Sequence, residues 1–307
     1  MLVIAKRVEE APAVRRRLWL ALAAAAALCA AAASAAVLWF TSAPSGALHV
    51  VVADVGQGSL VVARTPLGAT ILIDAGPSET ATLRALGRTA PRVQHIALVV
   101  ATHPDVDHIG GLSAVLRRYK VHELWVSPAV SEQVTDEDVL TLARERGVVV
   151  REITEPRVWE SPEGVKLTAL FPERALASST PTNTASIVLR LSYGGASFLA
   201  SGDAPREVEH YLAALYGRRL ASDIVLVGHH GSRTSTDEWW LNAAAPRLAV
   251  ISAGADNPFG HPHPEVLAML ERFAIPWCLT SRDGDIELVS YGAPFLLPRC
   301  ARSGIGQ

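Results

Sequence analysis

Residues 102–111 read Thr-His-Pro-Asp-Val-Asp-His-Ile-Gly-Gly, and no other stretch limits so sharply what this chain can fold into. His103, Asp105, Asp107 and His108 place four metal-capable side chains within six residues. An apolar run at 96–102, rich in β-branched residues, precedes the cluster, and a helical pattern over 109–119 follows it. A strand therefore delivers these side chains, and a helix carries the chain away. Two carboxylates so close repel one another unless a cation neutralises them. The loop reads as part of a metal site rather than as a solvated acidic turn.

Further polar clusters end predicted strands in the same way. Asp54 and Gln57 close a run over 48–55, and Asp74 closes one over 70–74. Asp203 follows a run over 196–201, and His229-His230-Gly231-Ser232 follow one over 223–227. Gly260-His261-Pro262-His263 come a short loop after a run over 248–252. Strand ends gathered at one edge build a site from residues distant in sequence. Asp203 is the expected shared ligand, with a helix N-cap as its bland alternative. Asp74 reads equally as a turn cap. His229 is read as a ligand and His230 as the neighbour that would replace it. Pro262 stiffens the pair His261 and His263, but His263 also suits the start of the next helix.

Both halves of the chain run strands first and then alternate strands with helices. Runs at 48–55, 60–64 and 70–74 predict an antiparallel meander. Tyr193-Gly194-Gly195 predicts a hairpin, and Asp283-Gly284 predicts a closing hairpin between 278–280 and 286–290. Two mixed sheets packed face to face, with helices outside, satisfy this order. The expected fold is an α/β (α+β) αββα sandwich.

The 307 residues are half hydrophobic, enough for a substantial core, and carry a net charge of −2. The first seventeen hold five basic and two acidic residues, and 18–40 are uncharged, so the remainder is near −5. A mildly acidic folded part argues against tight, purely electrostatic polyanion binding. Residues 18–40 form a run of 23 that ends in Trp39-Phe40, long enough to span a bilayer core of about 30 Å. The expected organisation is a cytoplasmic basic tail (1–17), a membrane helix (18–40), a linker (41–47) and a catalytic domain outside the cytoplasm (48–300). A cleaved signal peptide is the competing reading, with Ala33-Ser34-Ala35 as its cleavage site. Cys278 and Cys300 would pair in an oxidising compartment, but two unrelated buried thiols explain them equally well.

Two divalent cations about 3.5–4 Å apart share a water and lower its pKa towards neutrality. A bridging carboxylate and several histidines would hold such a pair. Asp105 stands where an imidazole would also fit, and its hard oxygen moves preference from Zn²⁺ towards Mn²⁺.

His103-Pro-Asp105-Val-Asp107-His108-Ile-Gly-Gly resembles the His-x-His-x-Asp-His motif of metallo-β-lactamase-fold hydrolases, with Asp in place of the second His. Asp54-Val-Gly-Gln57-Gly, Ile73-Asp74-Ala-Gly, Ser186-Ile-Val-Leu, Ser201-Gly-Asp203, His229-His230-Gly-Ser232 and Gly260-His261-Pro-His263-Pro occur in the order found in one branch. That branch is the extracytoplasmic nuclease-like domain of ComEC-type DNA-uptake proteins, and the resemblance covers roughly residues 48–291. It implies one or two divalent ions, Mn²⁺ or Zn²⁺, held by His103, Asp105, Asp107, His108, Asp203 and His229. Asp107, His230 and His261 become the candidates for catalysis. Gln57, Asn183, Ser186, Ser232 and His263 become the candidates for substrate contact. Two positions depart from the pattern. Ser59 replaces an acidic residue of the branch, and the polar stretch with Asn183 and Ser186 stands where the wider superfamily has a mid-chain histidine ligand.

The expected function is a membrane-anchored, metal-dependent phosphodiesterase acting on extracellular DNA, with DNA-uptake or envelope proteins as partners. The alternatives are hydrolysis of another extracytoplasmic ester (a cell-wall phosphodiester, a lactone or a β-lactam), or a weakly catalytic metal-binding accessory protein. Oligomeric state leaves no sequence signal here.

Overall fold

Short runs of Val, Ile and Leu broken by Gly, Pro and Asp are too brief for helices and too apolar for solvent, so they pair as strands buried on both faces. The computed structural model describes residues 19–31, 46–129, 136–173 and 180–300. Two compact units divide the chain, Met1–Pro44 and Ser45–Gln307. In the first, residues 19–31 form an exposed helix, α1. No helix among the described residues is long and apolar enough to cross a membrane. Of the expected span, residues 18 and 32–40 lie outside the described residues, as do the basic tail and most of the linker.

The second unit opens with the expected meander, β1 (Leu48–Val52), β2 (Val61–Arg64) and β3 (Thr70–Ile73). Helix α2 (Glu79–Thr89) leads to β4 (His95–Ala101), which pairs parallel with β3. After α3 (Val106–Ile109) and α4 (Leu112–Arg118), β5 (Lys120–Val126), α5 (Asp136–Glu145) and β6 (Val149–Glu152) extend the sheet in parallel. The second sheet starts antiparallel with β7 (Arg157–Glu160), β8 (Lys166–Phe171), β9 (Val188–Tyr193) and β10 (Ala196–Ala200). It continues in parallel through α6 (Arg206–Tyr216), β11 (Ile224–Leu226), α7 (Glu238–Ala244), β12 (Leu248–Ile251), α8 (Pro264–Arg272) and β13 (Trp277–Leu279). A short helix α9 (Thr280–Asp283) then sends β14 (Ile286–Ser290) back to the first sheet, antiparallel to β1.

The sheet orders are β14-β1-β2-β3-β4-β5-β6 and β13-β12-β11-β10-β9-β8-β7. Strand alternation assigns the faces. Leu98 and Val100 of β4 meet Phe198 and Ala200 of β10 in the core between the sheets. Val99 and Ala101 point outward to Leu112, Val115 and Leu116 of α4. Leu199 and Val225 likewise pack outward on Val208 and Leu212 of α6 and Trp240 of α7. This is the αββα sandwich.

Two local expectations are corrected. The predicted closing hairpin does not form, because β13 and β14 belong to different sheets. Asp283-Gly284 ends α9 instead, with Gly284 at φ 74 as its C-cap. The predicted single helix over 109–119 is two helices broken at Gly110-Gly111. That break brings the backbone so close to β3 and α2 that a Cβ on Gly111 would strike Thr82 Oγ1 and Ala75 O. Cys278 and Cys300, left open by the sequence, form a disulfide.

Candidate metal centre

Parallel strands that end at one edge deliver the polar residues. Asp74 follows β3, and Thr102 and His103 follow β4. Asp107 and His108 sit on α3, with Asp105 at its N-cap position making no capping bond. From the other sheet, Ser201-Gly202-Asp203 follows β10, and His229-His230 lie in a 3₁₀ turn after β11. Gly202 lets the sheets meet, since its Cα lies where a Cβ would press on Ser186 and Thr102. Three side chains reach the site from left-handed backbone: Asp74 (φ 62), His229 (φ 49) and His230 (φ 56). Such positions cost about 1–3 kcal/mol each and persist where surrounding bonds impose them. Here His229 N donates to Gly202 O at 3.0 Å, and Ser232 N donates to His229 O at 2.8 Å.

Three buried imidazoles share one arrangement. His108 Nδ1 donates to Asp74 Oδ2 at 2.7 Å, and His230 Nδ1 donates to the Ser252 carbonyl at 2.8 Å. His103 Nδ1 lies 3.1 Å from Thr102 Oγ1, a hydroxyl that donates to Asp74. With Nδ1 engaged, each ring turns its Nε2 into the same space. His108 Nε2 is 3.1 Å from Asp203 Oδ1 and 3.1 Å from His230 Nε2. His230 Nε2 is 3.1 Å from Asp107 Oδ2. His103 Nε2, fully buried and without a hydrogen-bond partner among the described residues, lies 3.7 Å from Asp105 Oδ2 and 3.9 Å from Asp203 Oδ2.

Two sets of ligand atoms therefore lie within 4.8 Å of one another: His103, His108 and Asp203, and Asp107, His108 and His230. Imidazole nitrogens whose far nitrogen is tied to a carboxylate or carbonyl, facing carboxylates, are the donors a divalent ion takes. The residues fit such an ion.

The electrostatics agree. Burial alone would push Asp203 up, but His108 and His230 outweigh it and hold the carboxyl well below its usual range. Burial also opposes ionisation of Asp107, yet His230 and His108 draw it down to about 2. Both carboxylates are thus anionic acceptors. Burial lowers His108, while Asp203 and Asp74 more than compensate and raise it well above the usual value. Burial, reinforced by His108, pushes His103 down to about 4, so its ring is neutral.

The other expected residues fall around this centre. His229 Nε2 is 3.4 Å from Asp203 Oδ2 but belongs to neither compact set; His230 belongs to one. Asp105 touches only the rim, beside His103. Ser186 is wholly buried, and its Oγ accepts from the Asp203 amide at 3.2 Å. Asn183 begins the short 3₁₀ turn before it, with Oδ1 buried and without a partner among the described residues. Gln57 accepts from Gly254 N at 3.1 Å. Ser232 Oγ bonds Thr234 Oγ1 at 2.9 Å, and His263 Nδ1 accepts from Arg233 N at 3.0 Å. His261 stands at the mouth, its ring 5.6 Å from His229 and 4.9 Å from His263. Burial and the neighbouring histidines push it down to about 4. Ser59 donates its amide to Asp107 O at 3.0 Å.

The sequence leaves Asp74 open between the site and a turn cap, and nothing in it singles out Thr102 or Ser252. Asp74 carried a signal, an Asp directly after an apolar strand, but a turn cap gives the same signal.

The profile of the family described as the metallo-beta-lactamase superfamily matches residues 53–255. The chain is similar to ComE operon protein 3 of Bacillus subtilis (strain 168), 34% identical over 199 residues, which cover 65% of this chain and 25% of that protein. It is similar to Recombination protein 2 of Haemophilus influenzae, 32% identical over 258 residues, covering 82% of this chain and 30% of that protein. Competence protein ComA of Neisseria gonorrhoeae is 30% identical over 247 residues, covering 80% and 32% of the two chains. The match therefore spans a quarter to a third of these relatives' length.

Proposed function

We propose that this chain, which belongs to the metallo-β-lactamase superfamily, hydrolyses phosphodiesters and takes DNA outside the cytoplasm as its substrate. One observation carries the proposal: the buried rings of His103, His108 and His230, each tied at Nδ1, aim Nε2 at Asp203 and Asp107. The two sets share His108, whose one free nitrogen, Nε2, serves a single ion, so His103, His108 and Asp203 would hold that ion, or Asp107, His108 and His230 would. A divalent ion there supplies Lewis acidity and a nucleophile from water at neutral pH.

The chain's own residues do the rest. Asp74 and the Ser252 carbonyl fix the tautomers of His108 and His230, so both present Nε2. Ser186 holds the Asp203 amide and with it the carboxylate. His261 stays neutral at the mouth, where it adds no charge of its own and can hydrogen-bond a substrate oxygen. The relatives named for competence and recombination support DNA. The uncharged run 18–40 behind a basic tail supports a membrane anchor, with the domain outside. The Cys278–Cys300 disulfide supports the same side, since such bonds persist in oxidising compartments.

The test is an assay of the full-length protein loaded separately with Mn²⁺ and Zn²⁺. DNA, bis(p-nitrophenyl) phosphate and a chromogenic β-lactam are offered side by side. Phosphodiester cleavage that Asp203→Ala abolishes is expected. Cleavage of the β-lactam alone would overturn the proposal, and tight metal binding with no hydrolysis of any phosphodiester would favour the accessory-protein reading.

A further inference from the structure

At the mouth of the metal centre the loop 254–261 holds an aromatic ring out to solvent. Phe259 is 60% exposed and belongs to none of the apolar clusters of the described core. The loop does not leave it to chance. Asn257 Oδ1 accepts from Phe259 N at 3.2 Å and from His261 N at 2.9 Å. Asn257 Nδ2 donates to Gly254 O at 2.8 Å and to His261 O at 2.6 Å. One side chain thus pins the backbone on both sides of the ring.

The ring is also oriented. It lies nearly parallel to His261, with centroids 5.6 Å apart and planes at 25°. His261 in turn stacks on His230 at 6.3 Å and 29°. His230 contacts Asp107 inside the candidate metal centre. A ladder of three near-parallel rings therefore runs from the buried ligands to an open aromatic face.

We propose that Phe259 is a stacking platform for an unpaired nucleobase of a single-stranded nucleic acid whose phosphodiester lies at the metal centre. The inference deepens the phosphodiesterase reading and rests on it for the position of the phosphate. A flat, fixed, exposed ring beside a phosphodiester site matches how proteins hold single strands, by π-stacking that tolerates any base. A paired base inside a duplex has both faces covered by its neighbours, so the platform selects single strands or frayed ends.

The experiment uses the full-length, metal-loaded protein and single-stranded oligonucleotides carrying 2-aminopurine. Wild type is expected to quench the 2-aminopurine on binding. Phe259→Ala is expected to lose the quenching and to bind the oligonucleotide about 5- to 150-fold more weakly, the range of one lost base stack. Phe259→Trp restores both. Wild type should bind an oligonucleotide abasic at the contacted nucleotide as weakly as Phe259→Ala binds the intact strand. Unchanged affinity and quenching in Phe259→Ala, or equal losses on duplex and single strand, would overturn the platform. If wild type cleaves phosphodiesters while Phe259→Ala keeps its KM for single strands, the platform falls and the hydrolytic reading stands. If wild type cleaves none but quenches through Phe259, the hydrolytic reading falls and the platform stands.

Discussion

Asp74 spends both carboxylate oxygens inside the protein: Oδ1 accepts from the amide and hydroxyl of Thr102, and Oδ2 from His108 Nδ1. Asp74→Asn keeps the shape but replaces one acceptor by an NH₂, so either His108 or Thr102 faces a donor. Supporting residues of this kind typically change metal affinity 10- to 100-fold, and about that loss is expected here. Competition against a chromophoric chelator measures it; unchanged affinity would reduce Asp74 to a turn cap. Glu209 is a further buried carboxyl, one that no local pattern in the chain singles out. It accepts from Ser201 Oγ at 3.0 Å and from Thr236 N at 2.6 Å, and Thr236 Oγ1 accepts from Gly228 N at 2.8 Å. It thereby joins the loop bearing Asp203 to the loop bearing His229 and His230. Complete burial pushes its pKa from 4.5 up to about 8, so the native state holds a proton that the unfolded chain has released. Its contribution is fully present below pH 4.5 and is lost as pH rises towards 8, at up to about 1.4 kcal/mol per pH unit. Glu209→Gln, neutral throughout, should flatten the decline of stability across that window. Urea unfolding of both proteins at pH 5, 6, 7 and 8, each value lying in that roughly 4.5–8 window, decides it. Parallel curves would mean that Glu209 ionises freely in the fold.

The helices that flank the metal loop depend on glycine in opposite senses. Gly111, between α3 and α4, has no room for a methyl group against Thr82 and the Ala75 carbonyl. Ala75 N bonds the His108 carbonyl at 2.6 Å, so strain at Gly111 passes directly to a candidate ligand. Gly111→Ala should cost about 1–3 kcal/mol by overpacking and weaken metal binding with it. Gly87, exposed in α2 with nothing near its Cα, should gain about 0.5–1 kcal/mol on substitution by Ala. Equal effects of the two substitutions in thermal denaturation would refute the packing argument. The same elements show what the sequence could carry. Apolar runs ending in Asp or His located the strand ends at His103, Asp203 and His229, because period and punctuation are local signals. Choice of partner is not local. Asp283-Gly284 looked like a hairpin turn, but β14 pairs with β1, Leu48 opposite Ser290, and the turn signal serves the end of α9. Nor could alternation show that His230, rather than His229, lies in a compact ligand set. That outcome rests on two consecutive left-handed residues, which no residue pattern announces.

Across the whole molecule the candidate ligands divide between the sheets. The first sheet's strands and α3 supply His103, Asp107 and His108, and the second sheet supplies Asp203, His229 and His230. The sheets are already joined by the core in which Leu98 and Val100 meet Phe198 and Leu248. An ion held by His103, His108 and Asp203 would add a bond between them at the edge where that core ends. Because the unfolded chain separates these ligands by about a hundred positions, the ion binds the native state far better, and binding appears as stability. At about 100 times its dissociation constant a ligand contributes roughly 2.7 kcal/mol. For a domain of this size that corresponds to a rise in Tm of about 5–10 °C. Thermal scans of chelator-treated full-length protein, with and without added Mn²⁺ or Zn²⁺, should show it. Asp203→Ala, which removes the carboxylate that the second sheet offers to His103 and His108 but leaves the set of Asp107, His108 and His230 intact, should show a smaller metal-dependent shift. An undiminished metal-dependent shift in that variant would place the stabilising ion elsewhere, because no other carboxylate of the second sheet belongs to either compact set among the described residues.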